Sequence, residues 1–204
     1  MTDFAAARLN MVESQIRTNK VTDTRVIEAF EAIPRELFVN EVGRGFAYID
    51  EDLEVAAGRY LMEPMVLARL LQAAAPRAGG IALDIGCATG FSTAILARLV
   101  ETVVGLECER GLVEQANQTL NALDVDNAVV VEGALDAGYQ KQAPYDMIVF
   151  QGAVSSVPDG IKRQLADGGR LVAVVVDEAG IGRATLVQRS GGTFSSRTLF
   201  DAST

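Results

Sequence analysis

Leu83-Asp84-Ile85-Gly86-Cys87-Ala88-Thr89-Gly90-Phe91-Ser92 decides how the rest of this chain is read. An apolar run, Ile81–Ile85, reads as a buried strand, and the segment Ser92–Val100 after the glycines reads as a helix. Gly86 lets the chain turn sharply off the strand, and Gly90 lets the helix begin close to the sheet. The spacing is G-x-A-x-G rather than the dinucleotide G-x-G-x-x-G, and Ala88 is small enough to leave room against the backbone. A second apolar run, Thr102–Glu107, ends in an acid 21 residues beyond Gly86. A carboxylate there is placed to accept hydrogen bonds from the two hydroxyls of a ribose.

Outward from that unit the alternation continues. Leu112, Val113, Ala116, Leu120 and Leu123 mark a helix, Ala128–Val131 a third strand and Met147–Phe150 a fourth. Ile161–Leu165 reads as a short helix and Arg170–Val176 as a fifth strand. Ala184–Arg189 and Thr193–Phe200 flank Ser190-Gly191-Gly192, a hairpin signal. The expected fold is α/β, a mostly parallel Rossmann-like sheet closed by a C-terminal antiparallel hairpin and preceded by N-terminal helices. Those helices carry Leu9, Val12 and Ile16 on one face, and Val26, Ile27, Phe30 and Ile33 on another before Pro34. Residues 46–62 lack a period and read as a loop or irregular strand. Pro64 opens a helix to about Ala75, stopped by Pro76. One domain over 1–204 is expected, with 1–62 a helical, substrate-side region and 63–204 the cofactor-binding core.

Composition narrows the chemistry. The chain has 204 residues, 49% hydrophobic and 22% charged, and 18 Lys+Arg against 27 Asp+Glu give a net charge of −9. No basic run offsets that charge, so nucleic acid is not expected as a partner. Neither an export signal nor a membrane-length apolar stretch is read, and Cys87 and Cys108 form no CxxC pair, so reduced thiols and a cytoplasmic location are expected. With no histidine at all, an imidazole base, a His-based triad and the usual metal constellations are excluded, and no metal is expected.

The D-I-G-x-x-T-G spelling of the loop resembles motif I of S-adenosylmethionine-dependent methyltransferases. The wider chain resembles the protein-L-isoaspartate O-methyltransferase family at Val21–Val39 (with A-I-P-R-E-L-F-V), Ala47-Tyr48, Pro64–Leu71, Leu83–Val100 and Glu107. The match continues at Ala143-Pro144-Tyr145-Asp146, Gly152-Ala153, Val157-Pro158 and Gln164-Leu165-x-x-Gly168-Gly169. The resemblance implies a class I methyltransferase fold, S-adenosylmethionine as cofactor, and methylation of the abnormal α-carboxylate of isoaspartyl residues in damaged proteins. It implies cofactor contacts at Asp84, Gly86, Cys87, Ala88, Gly90, Glu107, Ala134, Leu135 and Gln151. A carboxylate acceptor is ionised at neutral pH and needs no general base, which suits a chain without histidine.

Three departures bear on the substrate side. Where the family reads G-Q-T-I-S-x-P, with the serine at the active site, this chain has Gly58-Arg59-Tyr60-Leu61-Met62-Glu63-Pro64, so Met62 stands at the serine position and the catalytic residues are left unassigned. The family G-D-G after the third strand is Gly133-Ala134-Leu135 here, with Asp136 two residues beyond the position of the family acid, and the family R-F-V-P-L ending is missing. Three readings therefore stay open. They are an isoaspartyl-repair methyltransferase, a relative methylating another acceptor such as a small carboxylate drawn by Arg59, and a cofactor-binding protein without turnover. Asp146 reads as a structural cap, Ser155 and Ser156 as helix caps, Tyr60 and Met62 as core packing, and both thiols as flanking the cofactor pocket. The oligomeric state is not read from the sequence.

Overall fold

The computed structural model describes residues 3–202. Residues 1–2 and 203–204, the ends of the expected domain, lie outside them. The elements run α1 (Phe4–Met11), α2 (Thr24–Ala32), β1 (Leu53–Ala56), β2 (Arg59–Leu61), α3 (Pro64–Ala74), β3 (Ile81–Ile85), α4 (Phe91–Ala97) and β4 (Thr102–Glu107). They continue with α5 (Arg110–Ala122), β5 (Ala128–Glu132), β6 (Tyr145–Val154), α6 (Asp159–Lys162), β7 (Leu165–Val176), β8 (Gly182–Ser190) and β9 (Thr193–Asp201). Seven strands form one sheet in the order β5-β4-β3-β6-β7-β8-β9. The pairs from β5 to β7 are parallel, and β8 and β9 close the sheet as an antiparallel meander. This is the expected class I methyltransferase layout.

Parallel strands covered on both faces read as continuous apolar runs. Ala82, Leu83 and Ile85 of β3 and Val103, Val104 and Leu106 of β4 are accordingly buried. Helix α2 starts where the Asp23 carboxylate accepts from the Arg25 backbone N–H and ends at Ile33, which Pro34 holds in extended conformation. It buries Val26, Ile27, Ala29 and Phe30 against the body.

Several boundaries differ from the sequence reading. Leu9 is 52% exposed while Val12 and Ile16 are buried, because Val12–Ile16 forms a π-helical turn that rotates Leu9 off the shared face. Residues within 46–62 form a two-stranded antiparallel hairpin, β1–β2, tipped by Gly58 at φ 67°. The helix expected at Ile161–Leu165 is the shorter α6, and Leu165 already belongs to β7, where it faces Tyr145 of β6. Strand β6 extends past Phe150 because Ala153 and Val154 pair with Val174 and Val175 beyond a register shift.

The A-I-P-R-E-L-F-V segment ties the N-terminal region to the glycine loop. Arg35 is fully buried, donates from Nε to the Ala47 carbonyl (2.8 Å) and from Nη2 to the Met62 carbonyl (3.1 Å), and lies 4.8 Å over the Phe91 ring. Burial lowers its pKa to about 10, so it stays charged at neutral pH. Thr89 Oγ1 donates to the Phe38 carbonyl (2.6 Å), fixing the glycine loop to the end of the same segment.

Candidate functional site

In-register parallel strands bring their carboxyl ends to one edge. Ile85 lies beside Leu106 on one side and Phe150 on the other, so Gly86, Glu107 and Gln151 emerge together in the crevice where open α/β sheets bind ligands. Gly86 has φ 78°, and a Cβ there would stand 3.3 Å from Arg59 Nη2 and 3.7 Å from Leu135 Cδ1. Gly90 has φ 92°, and its Cβ would stand 3.0 Å from Ala116 Cβ. The close approach Gly90 permits is therefore to α5, not to the sheet as the sequence reading had it.

Glu107 is fully buried. Its Oε1 accepts from the Cys108 N–H (2.8 Å), the Glu109 N–H (3.2 Å) and the Cys108 thiol (3.3 Å). Its Oε2 accepts from the Ala88 N–H (2.8 Å) and from the Arg59 guanidinium of the hairpin. Burial pushes the carboxyl up, but Arg59 and the backbone donors prevail and hold it below its ordinary value. A glycine turn beside a buried, ionised carboxylate at the end of the next strand fits an adenosine ribose.

Asp84 lies beneath the loop, fully buried. Its Oδ2 accepts from Ser92 Oγ (2.6 Å) and Thr93 Oγ1 (2.7 Å), and its Oδ1 from Gln151 Nε2 (2.8 Å). Burial raises its pKa to about 6 against the lowering effect of these bonds. Gln151 is thus held by Asp84 as well as bordering the crevice, a bridge the sequence did not reveal.

A cavity of about 650 Å³ opens between the hairpin and the strand ends, bordered by Met62, Ile85, Gly86, Leu135 and Gln151. Asp136, Ser155, Ser156, Tyr60 and Asp52 also line it. The serines are not helix caps: α6 is preceded by Pro158 and has no side-chain cap. Tyr60 is 48% exposed rather than core, whereas Met62 is buried. Ala134 is absent from the lining, its place taken by Leu135 and Asp136. Asp146 is structural, accepting from the Ile81 N–H (3.0 Å) at the far end of the sheet.

The cysteines divide. Cys108 is exposed beside Glu107, but Cys87 is buried and turns its sulfur toward Gly105, inside the core. Burial pushes the Cys87 thiol well up, and partial desolvation and Glu107 raise that of Cys108 as well, so access of the reagent is what separates the two. Iodoacetamide should therefore alkylate Cys108 at least about a hundredfold faster than Cys87, with S-adenosylhomocysteine slowing the former. Peptide mass spectrometry reads both rates, and comparable labelling would contradict the buried placement of Cys87.

Comparison with known proteins follows this geometry. The family model for protein-L-isoaspartate(D-aspartate) O-methyltransferase matches residues 7–201. A protein-L-isoaspartate O-methyltransferase of Methylorubrum extorquens is 35% identical over 96% of this chain and 85% of its own length. One from Anaeromyxobacter is 37% identical over 81% of this chain and 68% of its own length. Among solved structures, a protein-L-isoaspartate O-methyltransferase superposes with a TM-score of 0.85 at 24% identity, covering 96% of this chain, which spans 64% of that chain's length. A second, from Plasmodium falciparum in complex with S-adenosyl-L-homocysteine, gives 0.82 at 18% identity over 100% of this chain and 97% of its own.

Proposed function

The chain belongs to the protein-L-isoaspartate(D-aspartate) O-methyltransferase family, and from that membership we propose that it methylates the free α-carboxylate of isoaspartyl residues in damaged proteins and peptides. It is an S-adenosylmethionine-dependent methyltransferase. The family match along residues 7–201 carries the reading. We assign the cofactor ribose to Glu107, its approach to the backbone at Gly86 and Ala88, and its flank to Leu135 and Gln151. The cofactor would supply, when bound, a sulfonium-activated methyl group for transfer to a carboxylate oxygen, with a neutral thioether as the leaving group. The protein's part is alignment and exclusion of water, since an ionised acceptor presents its nucleophilic oxygen without losing a proton. We take 1–204 as one domain and, from the unpaired thiols, the cytoplasm as its location.

Labelled S-adenosylmethionine with an isoaspartyl peptide tests this directly: label should enter the peptide, and a normal aspartyl peptide should stay unlabelled. Absence of transfer to the isoaspartyl peptide would overturn the reading.

The altered loop sets a second expectation. Met62 is 4% exposed and borders the cavity but offers no hydroxyl, so Met62→Ser should raise turnover on the isoaspartyl peptide up to about tenfold, the worth of one hydrogen bond. The same change should lower stability by about 2 kcal/mol or more through lost packing. Rates on folded enzyme and melting curves read the two effects separately. A lower rate in the variant would show that the hydroxyl was not what this site lacks.

A further inference from the structure

Arg59 occupies an unusual place. It sits at the start of β2, just past the hairpin tip, 48 residues before its partner Glu107, and its side chain is 19% exposed against none for the carboxylate. Its Nη2 hangs over the Gly86 turn, and its Nε is buried without a partner. It borders the 650 Å³ cavity on one side and a smaller one of about 370 Å³, beside Glu109, Gly111 and Leu112, on the other.

Glu107 has no acceptor capacity to spare. A carboxylate offers about four lone-pair sites. Five donors already converge on this one: three backbone N–H groups, the Cys108 thiol and Arg59. The backbone donors are fixed by the turn, so ribose hydroxyls reach the carboxylate by displacing Arg59, the donor on a long side chain.

The larger cavity supplies a destination. Its lining carries two carboxylates, Asp52 and Asp136, and among the described residues Arg59 is its one basic side chain. Without Arg59 that charge pattern repels an acceptor whose reacting group is itself a carboxylate. A guanidinium fork matches a carboxylate in two parallel hydrogen bonds.

We propose that Arg59 is the specificity residue for the acceptor carboxylate: it pairs with Glu107, and the cofactor ribose releases it into the acceptor cavity, so that cofactor binds first. The choice of an isoaspartyl acceptor rests on the reading above, whereas the displacement from Glu107 does not.

Calorimetry on wild type and Arg59→Gln tests it with three probes: S-adenosylhomocysteine, a short isoaspartyl peptide, and the same peptide with its α-carboxylate as carboxamide. Wild type loaded with S-adenosylhomocysteine should prefer the carboxylate peptide about tenfold or more, and show no preference when empty. Arg59→Gln should lose the preference while binding S-adenosylhomocysteine as tightly as wild type or several-fold more tightly. A preference that persists in Arg59→Gln, or weaker S-adenosylhomocysteine binding by that variant, overturns the proposal. If Arg59→Gln does not fold, Arg59→Lys decides: a reduced preference supports it, an unchanged one overturns it. Succinate separates the two readings should wild type ignore the peptide. Binding of succinate to the loaded wild type but not to Arg59→Gln keeps the role of Arg59 and removes the isoaspartyl acceptor; binding of neither peptide nor succinate removes the anion site.

Discussion

Glu107→Ala should raise the dissociation constant for S-adenosylhomocysteine by about a hundredfold. The carboxylate is buried and ionised, and the two ribose bonds assigned to it are charge-assisted, each worth about 1.5–3 kcal/mol. The loss is partly offset because the variant no longer holds Arg59 in the way. Glu107→Gln keeps the shape, loses the charge and should fall between, near tenfold. Titration calorimetry of the three proteins orders them. An affinity for Glu107→Ala within about threefold of wild type would move the ribose elsewhere.

Asp84→Ala should be strongly destabilising, by about 2 kcal/mol or more. It strands the buried hydroxyl donors of Ser92 and Thr93, at about 1–3 kcal/mol apiece, and takes its partner from the half-buried Gln151 amide. Asp84→Asn is the informative companion, because it keeps the volume and removes the titration. The folded carboxyl titrates at about 6 against an ordinary 3.8, so the folded state takes up its proton more readily than the unfolded chain. The stability this proton linkage contributes is full below about pH 4 and lost as pH rises through about 6. The difference between about 6 and 3.8 corresponds to about 3 kcal/mol. Urea unfolding should therefore show Asp84→Asn gaining on wild type by up to about that amount between pH 4 and pH 7.5. A gap between the two proteins that stays constant with pH would mean that Asp84 does not titrate there.

The parallel half of the sheet and the glycine loop were legible because their signals are local. An apolar run, a turn that demands Gly86, and an acid one strand later are each set by a few neighbouring residues. What escaped was set over distance or by exceptions to a period. The π-helical turn at Val12–Ile16 defeated the helical face that included Leu9. Leu165 read as the end of a helix, yet it opens a strand that runs on through Gly168 and Gly169. Cys87 belonged to the right loop, but which way its sulfur points is decided by packing against Gly105 and Thr93. The Arg59–Glu107 pair joins a hairpin tip to a strand end, and no spacing rule connects them.

The last strand has a consequence for how molecules of this protein meet one another. A sheet edge offers unpaired backbone groups to any extended chain that drifts against it, the commonest seed of aggregation. Here β9 is one of the two free edges, and Thr193, Phe194, Ser195, Ser196, Arg197 and Thr198 are exposed along it. Phe194 is the one large apolar side chain among those six; the other five are hydroxyl-bearing or charged. A strand docking there gains hydrogen bonds but almost no apolar area, while it must desolvate a guanidinium and four hydroxyls. The opposite edge, β5, is only five residues long. The polar side chains of one border and the shortness of the other thus both disfavour the addition of further strands.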